Sequence, residues 1–351
     1  MKKIIQSVCA YLVLIIILSA CSSDGDTIVN SQNYDETKIE ESYELISHLA
    51  GIRSLLISYN DEIIGVEYFN NTGPEPDSIL DVRSVTKSIT SLLIGIALDK
   101  GYLTSLDQTV SEFLSNSVTG LNEEKGNITI RQLLTMTSGH VWYEIGDSSE
   151  FKEWIYAPDQ LQYIINKPIV NTPGTVFNYS DGGAHLVSAI LYRATGMRVD
   201  EFAQANLLNP LGIGQRFWYE DNRGINYGGV GICLGPEDMM KIGRMVLHKG
   251  LYNGKRIVSE NWINESTATQ VSTNNVLPYL TGYGYFWWKG NQNGHEFKTA
   301  MGYGGQFILV VEDLNLVVVT TCDFLIPKET AGQNWTSIIN IIMNNIIPAF
   351  D

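Results

Sequence analysis

The sequence contains a serine and a lysine whose spacing could support nucleophilic catalysis. Ser84 and Lys87 stand three residues apart at the start of an apolar run, so a helix would place both side chains on one face. The start of such a helix offers Ser84 free backbone N–H groups that favour developing negative charge. A partly desolvated lysine can act as a base, or can lower the pKa of its neighbour while still charged. The pattern is short, and on its own a helix N-cap with a solvated lysine remains the alternative.

The same Ser-x-x-Lys spacing occurs a second time, at residues 149–152. The surroundings there are polar and charged, so nothing would desolvate the lysine, and we interpret this second occurrence as chance. The first occurrence therefore carries the prediction of a nucleophile.

The elements around the tetrad predict an α+β fold. Strand patterns lie near both ends of the chain and helical patterns lie between them, which indicates one antiparallel sheet built from both termini and flanked by helices, with an inserted all-helical lobe. The sheet region would comprise residues 39–83 and 280–351 of a domain spanning 39–351, and the helical region residues 84–279. The predicted helices are 39–50, 84–98, 181–195, 236–248 and 330–347, and the predicted strands are 52–58, 63–69, 283–288, 306–311 and 316–321.

The first 20 residues predict a signal peptide. A short positive start precedes an apolar stretch over residues 4–18, which is too short for a typical membrane-spanning helix. The sequence Leu18-Ser19-Ala20-Cys21 resembles the cleavage site of bacterial lipoproteins, which implies lipidation of Cys21; an ordinary secretory signal is the alternative. We expect residues 21–38, which are polar, to form a tether, and the protein to lie outside the cytoplasm in the cell envelope, anchored to a membrane through Cys21.

Composition restricts the partners. Lys and Arg number 23 against 38 Asp and Glu, and the formal charge of −15 argues against nucleic acid as a partner. The five histidines are scattered and form no cluster with metal-ligand spacing, so we predict no metal and no cofactor. Cys233 and Cys322 lie in apolar surroundings, which favours two buried free thiols, although the expected compartment would permit a disulfide.

Four segments, in order, resemble the β-lactamase-related serine hydrolases. The first is the apolar helix that Ser84 begins, and the others resemble the family's "ITxxxLLTxTSG", Tyr-x-Asn and Lys/His-Thr-Gly segments. The resemblance covers roughly residues 40–350 and implies the β-lactamase/transpeptidase-like fold. The four segments are residues 83–98, 128–139, 177–186 and 301–306.

This resemblance implies a role for each matching residue. Ser84 would be the acyl-accepting nucleophile, Lys87 its activating partner, and Tyr179 the phenol or phenolate that relays a proton from Ser84 and later to the leaving group. The oxyanion hole would consist of the backbone N–H groups of Ser84 and Gln306.

The third motif contains two glycines beside the predicted oxyanion donor. Gly304 and Gly305 would leave room for a substrate backbone that passes next to the strand.

Two residues depart from the family pattern. Asp181 stands in place of an asparagine, which adds a negative charge near Lys87 and favours its charged form. Tyr303 stands where penicillin-recognising members carry Lys or His, and an uncharged phenol weakens the case for substrates with a carboxylate. The expected function is hydrolysis of a small-molecule ester or amide through an acyl-enzyme on Ser84, with the Arg83-to-Lys87 segment closest to the 6-aminohexanoate-dimer hydrolases. The alternatives are β-lactamase or D-Ala peptidase activity, or a non-catalytic penicillin-binding-like sensor lipoprotein.

Overall fold

The computed structural model describes residues 33–69, 78–143, 150–273 and 278–351. The part of the chain from Tyr34 to Asp351 forms one compact unit. The predicted signal peptide, Cys21 and most of the predicted tether lie outside the described residues. No helix in these described ranges has both the length and the apolar composition needed to cross a membrane.

A seven-stranded antiparallel sheet is built from both ends of the chain, as the sequence predicts. Its strand order is β2-β1-β11-β10-β9-β8-β7, so two N-terminal strands pair with five C-terminal strands. Two short strand pairs, β3 with β4 and β5 with β6, lie outside this sheet. The strands are Ile52–Tyr59 (β1), Glu62–Tyr68 (β2), Leu80–Asp81 (β3), Cys233–Leu234 (β4), Leu251–Tyr252 (β5), Lys255–Arg256 (β6), Leu280–Tyr283 (β7), Trp288–Gln292 (β8), His295–Gly302 (β9), Gln306–Val311 (β10) and Leu316–Cys322 (β11).

Most of the described helices lie between the N-terminal and C-terminal strands, together with β4, β5 and β6, while one helix precedes β1 and one follows β11. They are Glu36–Ser47 (α1), Val85–Asp99 (α2), Val110–Leu114 (α3), Glu123–Gly126 (α4), Ile130–Leu134 (α5), Glu150–Ile155 (α6), Gln160–Asn166 (α7), Asp181–Thr195 (α8), Val199–Ala203 (α9), Pro236–Leu247 (α10), Glu260–Thr267 (α11) and Lys328–Ile341 (α12). A π-helical turn, Gln204–Leu208, follows α9; a second, Ile342–Ile346, follows α12 and leads into a 3₁₀ turn, Ile347–Ala349.

The central strands of the sheet are covered by helices. All residues of β10 and β11 are buried, because α10 packs on one face of these strands and α2 lies against β9 and β10. In α2 every residue from Val85 to Ala97 is buried, which explains why its apolar residues are not confined to one stripe and why its polar side chains, such as Ser88 and Thr90, bond to backbone carbonyls. The nucleophile candidate therefore sits at the end of the most deeply buried helix.

The sequence-based strand over residues 283–288 is wrong. Tyr283 ends β7, Trp288 begins β8, and the residues between them form a tight turn in which Phe286 has a φ of 62°. The turn is buried, and its backbone polar groups are satisfied there: the N–H of Phe286 donates to the carbonyl of Leu134, and its carbonyl accepts from Ser88 Oγ. The prediction failed because a buried turn that contains several aromatic residues is as hydrophobic as a buried strand.

Three smaller expectations also change. Helix α1 begins at Glu36 rather than residue 39, because the side chain of Asp35 accepts from the N–H groups of Thr37 and Lys38 and caps the helix. Strand β9 was not predicted. The C-terminal helix changes to a π turn at Ile342 instead of continuing to residue 347.

The two cysteines of the folded part are buried free thiols, as the sequence favours. Burial raises the pKa of Cys233 to about 11 and also raises the pKa of Cys322.

Candidate active site

The start of α2 brings Ser84 and Lys87 together. Ser84 occupies the N-cap position, but its side chain makes no capping hydrogen bond. Its Oγ instead accepts a hydrogen bond from Lys87 Nζ at 3.0 Å. Lys87 is 1% exposed, whereas Ser84 remains accessible in part. A reachable hydroxyl bonded to a buried amine is the arrangement that an activated serine nucleophile needs.

Lys87 uses all three donors of its ammonium group. Besides Ser84 Oγ, the group donates to the carboxylate of Asp181 and to the carbonyl of Gly229, the latter at 3.1 Å. Asp181 is 2% exposed, so the two charges form a buried ion pair that compensates each of them. The negative charge predicted near Lys87 is therefore in direct contact with it.

The segment that contains Gly229 was missed in the sequence. A Cβ atom at Gly229 would overlap Asp181 Oδ1 and would lie 3.1 Å from Lys87 Nζ, so only glycine lets the backbone approach the ion pair this closely. Thr90 Oγ1 fixes the preceding residue by donating to the carbonyl of Gly228 at 2.9 Å. The run Gly228-Gly229-Val230-Gly231 was the available signal, since three glycines in four residues suggest a close backbone approach.

The "ITxxxLLTxTSG" segment supports the loop that contains Tyr179. The N–H of Asn178 donates to the carbonyl of Met136 at 2.7 Å, and its side chain donates to the carbonyl of His140 at 3.1 Å. Ser180 then caps α8 by accepting from the N–H of Gly183. The segment thus holds the residues on either side of Tyr179, while Asp181 begins the helix that follows.

Tyr179 lies beside the ion pair with its ring toward the ammonium group. Lys87 Nζ is 4.6 Å from the centre of the Tyr179 ring, which is a cation–π contact. Tyr283 borders the same place, and burial raises its pKa well above the usual range, with Lys87 acting in the opposite direction. Trp288 stacks on Tyr179, and the adjacent Trp287 is fully buried.

The third motif reaches the nucleophile through its first glycine. A Cβ atom at Gly302, the last residue of β9, would overlap the carbonyl oxygen of Val82, two residues before Ser84. Tyr303 follows and is 39% exposed; partial burial raises its pKa, and the guanidinium of Arg83 acts in the opposite direction. Tyr303 and Arg83 are therefore electrostatic neighbours.

The next two glycines have a conformational reason that the sequence did not indicate. Gly304 and Gly305 have φ values of 86° and 114° and form the turn from β9 to β10, so their backbone conformation requires glycine. A Cβ atom at Gly305 would also lie 2.5 Å from Ile338 and 2.8 Å from Cys322. Ile338 and Cys322 belong to the core, so the space at Gly305 is occupied by protein.

Gln306 is positioned by the sheet. It pairs with Gly302 across β9 and β10, and its side-chain amide donates to the carbonyl of Cys322 at 2.5 Å and accepts from its N–H at 3.2 Å. The side chain therefore fixes the end of β11, and the assignment of the Gln306 N–H to an oxyanion hole stays a prediction.

Arg83 and Asp81 form a strained brace directly before the nucleophile. Arg83 has a φ of 52°, which is uncommon for a residue with a side chain. Asp81 stabilises this conformation, because its carboxylate accepts from the backbone N–H of Arg83 at 2.7 Å and from Nη1 at 3.1 Å. The guanidinium also lies 5.0 Å from the ring of Phe324 and 5.4 Å from that of Phe151. Such strain is characteristic of functional sites.

The fold and the site define a serine-hydrolase class in which a Ser-x-x-Lys helix meets a tyrosine loop and a glycine-rich strand end. The profile of the Beta-lactamase family matches residues 53–341, and the chain belongs to this family.

Relatives and solved structures agree with this class. Beta-lactamase-like protein 2 of Dictyostelium discoideum is 26% identical over 255 residues, which are 66% of this chain and 46% of that protein. The 6-aminohexanoate-dimer hydrolase of Paenarthrobacter ureafaciens is 22% identical over 85% of this chain and 78% of its own length. The octameric penicillin-binding protein homologue from Pyrococcus abyssi has the same fold, with a TM-score of 0.65 and 20% identity over 87% of this chain and 76% of its own. The chain spans about half the length of the first curated relatives it matches.

Proposed function

We propose that this protein is a lipid-anchored serine hydrolase of the cell envelope that cleaves an ester or amide through an acyl-enzyme on Ser84. The hydrogen bond from Lys87 Nζ to Ser84 Oγ, inside a site where Asp181 compensates the ammonium charge, is the observation that carries this proposal. The alternative of a helix N-cap with a solvated lysine would show neither the burial of Lys87 nor its ion pair with Asp181.

The geometry supports a defined sequence of steps. Ser84 Oγ attacks the carbonyl carbon of the substrate and transfers its proton to Tyr179, which acts as a phenolate, while the ammonium group of Lys87 stays charged and stabilises that phenolate. The oxyanion that forms accepts hydrogen bonds from backbone N–H groups, for which Ser84 and Gln306 are the predicted donors. Tyr179 then protonates the leaving group, and the C–O or C–N bond breaks to leave an ester on Ser84. Water hydrolyses this ester by the same route in reverse and restores the hydroxyl.

Covalent labelling tests the catalytic part of the proposal. We expect a neutral fluorophosphonate probe to form one adduct on the wild-type protein, located on the peptide that contains Ser84, because a buried lysine activates that hydroxyl. Mass spectrometry of the digested protein measures the position. A protein that stays unlabelled under conditions that label a known serine hydrolase would contradict catalysis by Ser84 and favour the alternative, a non-catalytic sensor. Tyr303 is uncharged and stands where penicillin-recognising members carry a cation. This favours an ester or amide without a carboxylate over a β-lactam or a D-Ala peptide.

The lipid anchor rests on residues 1–21 of the sequence. We expect the mature protein to begin at a diacylated Cys21, because Leu18-Ser19-Ala20 precedes this cysteine in the manner of a lipoprotein signal. Intact-mass analysis of protein extracted from membranes should show the loss of residues 1–20 together with the added mass of the lipid. A Cys21→Ser variant that is recovered without modification in the same membrane fraction would contradict the anchor.

A further inference from the structure

The ring of Tyr179 contacts both a cation and an indole. Lys87 Nζ is 4.6 Å from the ring centre, and the ring of Trp288 is stacked on Tyr179 with centroids 5.8 Å apart and planes 24° from parallel. Trp288 is 8% exposed, so it is part of the protein wall rather than a mobile surface group.

Trp288 is itself held on several sides. It begins β8, where its backbone pairs with Tyr283 on β7 and with Thr299 on β9. Its ring meets Tyr283 edge to face at 4.8 Å and Phe177 edge to face at 6.0 Å. Tyr283 is fully buried, so the indole is fixed by its two neighbouring strands and by a ring that the core holds in place.

We propose that Trp288 is a positioning residue for catalysis, which fixes the plane of the Tyr179 ring against the ammonium group of Lys87. Tyr179 stands on a loop, between helix α8 and the segment held by Met136 and His140, and a phenol on a loop can swing about its χ angles. Stacking on Trp288 restricts that rotation and keeps the hydroxyl at one place relative to Ser84. The inference rests on the proposed function, since it concerns the proton that Tyr179 transfers.

Removing the indole should therefore lower turnover rather than substrate binding. In Trp288→Leu we expect kcat on 4-nitrophenyl butyrate to fall about 10- to 100-fold with KM changed less than about threefold, because small misplacements of a catalytic group have effects of this size. Trp288→Phe keeps a flat ring on the Tyr179 face and should recover most of the lost kcat.

A second stack in the same protein supplies the matched control. Trp262 is also buried and stacks on Tyr285, with centroids 5.5 Å apart and planes 27° from parallel, on helix α11. Trp262→Leu should lower the thermal midpoint in the same way as Trp288→Leu while leaving kcat near the wild-type value. This comparison separates the loss of a Trp–Tyr stack in general from the loss of the stack that contains Tyr179.

Three outcomes would overturn the inference: a rise in KM without a fall in kcat, an equal fall in kcat for Trp262→Leu, or a Trp288→Phe variant no faster than Trp288→Leu. If Trp288→Leu does not fold, the comparison of Trp288→Phe with Trp288→Tyr and Trp262→Phe decides by the same criteria. A wild-type protein that neither hydrolyses the ester nor reacts with a fluorophosphonate would contradict the proposed function itself. A reactive wild type whose Trp288 variants behave like the Trp262 variants would contradict only this inference.

Discussion

Replacing Ser84 with alanine is expected to lower kcat/KM for any ester substrate by about 10⁴- to 10⁶-fold, the range seen when a serine nucleophile is removed. Its hydroxyl makes no capping bond to α2 and accepts only from Lys87 among the described side chains, so the fold loses one hydrogen bond. The free energy of unfolding should therefore fall by about 1 kcal/mol or less. Steady-state kinetics and denaturant unfolding measure the two quantities.

The second Ser-x-x-Lys sequence gives the control for this substitution. Ser149 lies outside the described residues, whereas Lys152 is on α6 in a polar setting. We expect Ser149→Ala to match the wild type in kcat/KM. If Ser149→Ala were inactive and Ser84→Ala active, the assignment of the nucleophile would be wrong, because the burial of Lys87 would then have no catalytic consequence.

The parts of the site that could be predicted are those encoded by local sequence. Ser84 and Lys87 are one helical turn apart, so their contact follows from helix geometry once α2 is recognised. Helix α8 was predicted with its observed bounds, since Ser180 caps it and Gly196 ends it with a φ of 67°. Predicting an antiparallel sheet from both ends of the chain required only the strand patterns and the long helical insertion between them.

The parts that could not be predicted depend on approach between distant segments. Gly229 accepts from Lys87 across 142 positions of sequence, and its need for glycine arises only when the ion pair is in place. Asp81 holds Arg83 in a left-handed conformation that no propensity favours. Tyr283 and Trp288 were assigned to the two ends of one strand, whereas a turn between them brings the two rings together edge to face. In each case tertiary contact overrides the local pattern.

Asp181 is one of the two residues that depart from the family motifs, and its effect depends on a contact between distant segments. The Tyr-x-Asn pattern places a neutral amide where this chain has Asp181, and the sequence indicates only that a charge is added. The structure shows that the charge is buried beside Lys87 and that the helix cap belongs to Ser180 instead. Asp181 can therefore be changed without removing the N-cap of α8.

Asp181→Ala is expected to lower the free energy of unfolding by about 3–5 kcal/mol, because it leaves the ammonium of Lys87 buried without a counter-charge. The same variant should lose about 10²-fold or more in kcat/KM, since Lys87 no longer has the partner that keeps it on Ser84. Asp181→Asn retains an oxygen that can accept from Lys87 Nζ, so it should lose less in both quantities. Denaturant unfolding and steady-state kinetics on one ester measure them.

Asp200→Ala is the matched control for this pair of variants. Asp200 also stands in the first turn of a helix, α9, and also pairs with a cation, but its partner Arg198 is 39% exposed. Both substitutions remove a first-turn carboxylate from a helix dipole, and only one of them strands a buried charge. Asp200→Ala should therefore change the free energy of unfolding by about 1 kcal/mol or less and leave kcat/KM unchanged. If Asp181→Ala were as mild as Asp200→Ala, Lys87 would not depend on Asp181 for its charge, and the ion pair would not be the feature that holds the nucleophile's partner in place.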